Sequence, residues 1–149
     1  MTWFNYYGLI IVAIMMIPNI VCVIFDKQAF RNYYHNKLID TIEQIGRFAC
    51  FTLMIFNIPY TYLGFWFSGA RDVYLTVNGV LLFTYCLGWI VFCKSDSLIK
   101  VLWLSFIPTV IFAFSGIMLL SVPLILFSVL FGVGHINFSV MNFKLKENK

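Results

Sequence analysis

From Val101 to Phe143 the chain carries no Asp, Glu, Lys or Arg, and that run restricts the fold more than any other feature. About 20 mostly apolar residues carry a helix across a ~30 Å hydrocarbon core, whereas a single helix over this run would extend ~65 Å at ~1.5 Å per residue. Two helices joined by a tight turn at Ser121, Val122 and Pro123 are therefore expected, at Ile99 to Leu120 and Val122 to Phe143. Three further apolar stretches qualify as crossings, at Tyr7 to Phe25, Gln44 to Trp66 and Val73 to Cys93. The expected fold class is all-α: a polytopic membrane protein whose 149 residues form one transmembrane domain, a bundle of five helices.

Composition agrees with that class. The chain is 62% apolar and 11% charged with a mean hydropathy of +0.91, against about half apolar and a quarter charged in soluble domains. The longest polar stretch, Asp26 to about Glu43, is too short for a soluble catalytic domain. Function is expected within the membrane, at its surfaces or in a partner.

Basic residues predict orientation, because short cytoplasmic loops collect Lys and Arg. Lys27, Arg31, Lys37 and Arg47 flank the first loop, Lys94 and Lys100 bracket the third, and Lys144, Lys146 and Lys149 end the chain; Arg71 alone falls on the other side. The N-terminus is expected outside and the C-terminus in the cytoplasm of a plasma membrane, with brevity and the absence of processing signals suggesting a bacterial source. Trp3, Phe4, Tyr6 and Tyr7 suit an aromatic anchor at the outer interface and make a poor signal peptide. The net charge of +4 is scattered through membrane-flanking loops, so anionic headgroups of the lipid bilayer, not nucleic acid, are the expected partners. Part of the first loop suits the membrane interface. Its later half is equally suited to extend the second helix, with Asn36 as a cap.

Cys22, Cys50, Cys86 and Cys93 all fall inside expected helices without a Cys-x-x-Cys, which favours small apolar roles over disulfide exchange. His135 is the sole histidine within an expected crossing, and no carboxylate is expected inside any segment. Neither metal nor cofactor is expected, and catalysis by His135 as a general base is disfavoured for want of an orienting carboxylate.

Polar and small residues follow helical spacing. The first segment gives Met15, Asn19, Cys22 and Asp26; the second Glu43, Arg47, Cys50, Met54, Asn57, Thr61 and Gly64; the fourth Ser105, Thr109, Ala113 and Gly116; the fifth Ser128, Gly132, His135, Ser139 and Asn142. These faces are expected to point inward, since lipid offers polar groups no partners. Pro18, Pro59 and Pro108 are expected to interrupt helices and free carbonyls. Depth counting brings several stripes together in the cytoplasmic half, and a ligand-binding pocket of Asn19, Arg47, Asn57, His135 and Ser139 is the resulting expectation. It would hold a small or lipid-like ligand for sensing or transport. The competing expectation is a non-catalytic accessory subunit, in which the stripes pack helices together and against a homo-oligomeric or other membrane-protein partner.

Five helices in about 150 aromatic-rich residues resemble, in size, helix count and topology, the tryptophan-rich sensory protein family, which binds porphyrin and sterol-like ligands. That family's Trp- and Pro-rich first loop is replaced here by the charged segment from Asp26 to Glu43, and no residue role is carried over.

Overall fold

The computed structural model describes residues 3–25, 33–92 and 97–147. Asp26, Lys27, Arg31, Cys93, Lys94 and Lys149 lie outside these. Five helices occur in order: α1 (Tyr6–Phe25), α2 (Lys37–Ile55), α3 (Ala70–Val91), α4 (Leu98–Met118) and α5 (Val122–Glu147). Four of them, over Tyr6–Ile24, Ala70–Val91, Leu98–Met118 and Val122–Glu147, are long and apolar enough to cross a membrane.

The charge-free run does break into a hairpin. Helix α4 ends at Met118, Leu120 takes a left-handed φ of 48°, and Ser121 N donates to Gly116 O at 2.8 Å. Satisfying that late carbonyl closes the turn. Pro123 falls in the first turn of α5, where its missing N–H costs nothing.

Helix α2 departs most from expectation. It starts at Lys37, because Asn36 Oδ1 accepts from Leu38 N and Ile39 N at 3.1 and 3.4 Å, and it carries Lys37, Asp40, Glu43 and Arg47. It ends at Ile55, not Trp66. Beyond it the backbone bridges to the start of the chain, with Asn5 N donating to Ile55 O at 2.7 Å and Asn57 N to Trp3 O at 2.9 Å. Pro59 disfavours helix at Ile58, and Tyr60 turns back with a φ of 66°. Pro18 and Pro108 lie inside helices as expected; Pro59 does not. Asn57, Thr61 and Gly64 consequently leave the helical stripe.

The helices close a ring in the order α1, α2, α5, α4, α3, with a slighter contact between α2 and α4 across it. One close seam is α2 on α5. A Cβ on Gly46 would meet Phe131 Cα at 2.7 Å, and one on Gly134 would meet the Glu43 backbone at 3.0 Å. Bare glycines on both helices let the two backbones approach this closely. Along this seam 43 faces 134 and 46 faces 131, so the helices run antiparallel. Helices α1 and α3 run the same way: Asn5 lies beside Tyr74 and Asn19 meets Tyr85 further on. Helix α2 therefore carries the chain back through the bundle, from its C-terminal end to its N-terminal end.

Candidate functional site

Glu43 stands one turn after Asp40 on α2, on the face the Gly46 crossing presses against α5. Its side chain is 3% exposed, and its Oε1 accepts from Arg47 Nη2, one turn on. The same oxygen lies 3.0 Å from His135 Nδ1 on α5. A carboxylate only accepts, so Nδ1 carries the hydrogen in this contact. Phe131 stacks on the imidazole at a centroid distance of 4.7 Å and an interplanar angle of 16°, which holds the ring in the plane that meets Glu43.

This carboxylate corrects the expectation of a segment interior free of acids. Helix α2 begins seven residues, about two turns, before the apolar stretch that starts at Gln44, so Glu43 enters the helix and the α5 contact covers it. An orienting partner for His135 therefore exists.

The network continues across the ring. Tyr85 of α3 lies within electrostatic range of Arg47 without a hydrogen bond to it, and its hydroxyl donates to Asn19 Oδ1 on α1 at 3.2 Å. Asn19 Nδ2 donates back to Met15 O at 3.2 Å, one turn before it and next to the Pro18 position. Four helices thus meet in one polar cluster of His135, Glu43, Arg47, Tyr85 and Asn19. The acid is buried while Arg47 and His135 are 34% and 23% exposed. Among the described residues the Arg47 guanidinium donates to Glu43 alone, and the side chain is 34% exposed.

Ser139, one turn beyond His135, is half-buried on the same helix face. Below it Asn142 Oδ1 accepts from Tyr33 N at 2.6 Å and Tyr34 N at 3.2 Å, tying the end of α5 to the segment that enters α2. Tyr85 was not singled out from the sequence; its spacing on α3 placed it among many aromatics with nothing to mark it.

Asn57 does not join this cluster. It lies at the opposite end of the bundle, lining a cavity of about 130 Å³ with Phe4, Asn5, Tyr7, Tyr62 and Phe65. Burial there pushes the Tyr62 hydroxyl pKa up. The helix break at Phe56 separates Asn57 from Arg47, whose helical spacing would have joined them.

Among the described residues no group of three His, Cys, Asp or Glu side chains gathers to hold a metal ion. Cys50 is wholly buried in the core, where a thiol packs as a small apolar group. Compared with models of protein families, with curated proteins and with solved structures, the chain matches none.

Proposed function

We propose that the chain is a five-span plasma-membrane protein that binds a small or lipid-like ligand, for sensing or transport, in the polar cluster around Arg47. The observation that carries this reading is a partly exposed arginine in the middle of α2 that shares a buried carboxylate with His135 and has, among the described residues, one acceptor for its several donors. A residue serving only to pack helices would have its donors satisfied, because unpaired polar groups are costly where water is scarce. Asn19, Arg47, His135 and Ser139 remain in the proposed site, Glu43 and Tyr85 enter it, and Asn57 leaves it.

In this reading α2 is the fifth crossing, the N-terminus is outside and the C-terminus cytoplasmic. Support comes from the parallel run of α1 and α3, which requires the chain to return between them, and from the excess of Lys and Arg at the C-terminal end of the bundle. Single-cysteine variants in a cysteine-free background test it with an impermeant thiol reagent on intact cells. Ser121 is buried, so the outer positions to use are Ser68 and Val122, both exposed. They should react while Glu147 does not. Labelling at Glu147 without permeabilisation would overturn the orientation.

Binding is tested by thermal unfolding of the purified protein in neutral detergent, with phosphatidylglycerol, phosphatidylcholine or small oxyanions added. Arg47→Ala should remove stabilisation by whichever probe stabilises the parent. Arg47→Lys should restore part of it, because an ammonium lacks the planar fork. A Lys variant equal to the parent would mean that Arg47 merely snorkels.

The competing reading, an accessory subunit, draws on the glycine seam between α2 and α5, which shows how much of this polar face already serves packing. Under it no probe shifts the unfolding of the parent chain.

A further inference from the structure

From the sharing of one Glu43 carboxylate oxygen by the Arg47 guanidinium and the His135 imidazole, we infer that the ligand is an oxyanion that enters the Arg47 cluster together with one proton. The inference rests on the binding reading above and adds the chemistry of what is bound.

Glu43 carries one negative charge and Arg47 one positive, so this pair is balanced before a ligand arrives. An anion arriving at Arg47 competes with Glu43 for the guanidinium, and a carboxylate 3% exposed cannot be left without a counter-charge except at several kcal/mol. The geometry supplies the replacement. His135 Nδ1–H already faces Glu43 Oε1, and Nε2 makes no hydrogen bond among the described residues. A proton taken from water onto Nε2 turns the ring into an imidazolium whose Nδ1–H holds Glu43. Arg47 is then released to present its planar fork to the oxyanion, the geometry that guanidinium groups match best. No bond to carbon or phosphorus is made or broken. The charge on the cluster changes by one anion and one proton, a neutral sum.

The groups around His135 favour this exchange. From α2 it faces Glu43 and, through Glu43, Arg47. Helix α4, packed on its other side, carries only Lys100 as a titratable residue, in its first turn. On α5 itself the charged residues are Lys144, Lys146 and Glu147, all in the last turn. Tyr34 rests against Phe138, one turn below, and Tyr85 of α3 stands by Arg47. Glu43 is thus the one carboxylate in the cluster, and its pairing decides whether Arg47 is free.

Both a free solute and a lipid headgroup present a phosphodiester or carboxylate of this kind. Dimethyl phosphate is the test probe, because its single charge does not change across the histidine range. Calorimetric titration into the full-length protein in uncharged detergent, repeated in buffers of different ionisation enthalpy, counts protons taken up per anion bound. About one proton is expected. Because a proton is taken up, affinity falls as pH rises, by up to about tenfold per pH unit for one proton.

His135→Gln keeps a donor for Glu43 but cannot charge, so it should bind weakly with a flat pH profile. Glu43→Gln removes the competing charge, so it should bind at pH 8 at least about tenfold more tightly than the parent and without proton uptake. Its thermal unfolding confirms that it is folded. Phosphatidylglycerol nanodiscs that weaken probe binding relative to phosphatidylcholine nanodiscs assign the oxyanion to a headgroup; equal binding assigns it to a solute, and either keeps the inference. Binding with no pH slope and no proton uptake overturns the inference and leaves the ligand site standing. No binding of the probe to the parent, in either environment and at any pH, overturns the oxyanion, while stabilisation by phosphatidylcholine alone would return the site to a neutral lipid.

Discussion

Glu43→Ala should destabilise the protein by about 3 kcal/mol, the low end of the range for breaking a buried ion pair from one side. The loss has two parts. Arg47 and His135 both surrender their shared acceptor, and the α2–α5 seam loses the link that crosses it beside Gly134. The low end applies because Arg47, 34% exposed, can turn part of its guanidinium to water or headgroups, as a fully buried partner could not. Glu43→Gln should cost less, about 1 kcal/mol, since an amide oxygen still accepts from Arg47. Denaturant unfolding in mixed micelles measures both variants. An Ala variant as stable as the parent would mean that the cluster holds no helices together, and a double-mutant cycle with Arg47→Ala would then show no coupling.

Gly46→Leu should have the larger effect on yield of folded protein. Even a Cβ at this position would sit 2.7 Å from Phe131 Cα, inside the distance that backbone atoms tolerate. Because the atoms it would meet are the main chain and Cβ of Phe131, no rotamer change relieves the clash. The two helices must separate, and overpacking of this kind costs about 1 to 3 kcal/mol or more. Separation also pulls Glu43 from His135, one turn away along the same seam, so binding and stability should fall together. Gly79→Ala is the matched control. It lies on an exposed face of α3 with nothing within 4 Å of its added Cβ, and removing a mid-helix glycine should stabilise by up to about 1 kcal/mol. Thermal unfolding that ranks the two glycines equally would remove the seam from the account of this fold.

Several features of the bundle were legible residue by residue. The break between α4 and α5 followed from the length of a charge-free run, and the Asn36 cap from one polar side chain ahead of a helical stretch. The inward stripe of α5 held, with Ser128 and Gly132 buried and His135 and Ser139 half-buried. Helix α2 was misread at its end, while two readings of its start stayed open. They stayed open because Lys37, Asp40 and Glu43 look like loop residues to a hydropathy count although Asn36 offers a cap. Its end was hidden because apolar residues continue through Phe67 although the backbone has left the helix to bond with residues 3–5.

Local spacing determined that this chain is helical, membrane-like in composition, and amphipathic along faces that point inward; these are properties of one helix at a time, set by where each side chain falls on its own turn. Which stripe meets which was decided only by the tertiary structure. His135 and Glu43 stand 92 positions apart, and nothing in either segment names the other. They meet because the ring places α5 next to α2 and because Gly46 and Gly134 let those two backbones close until a carboxylate and an imidazole come within hydrogen-bond distance. The same tertiary bonds, between residues 3–5 and 55–57, ended α2 early and carried Asn57 to the opposite end of the molecule.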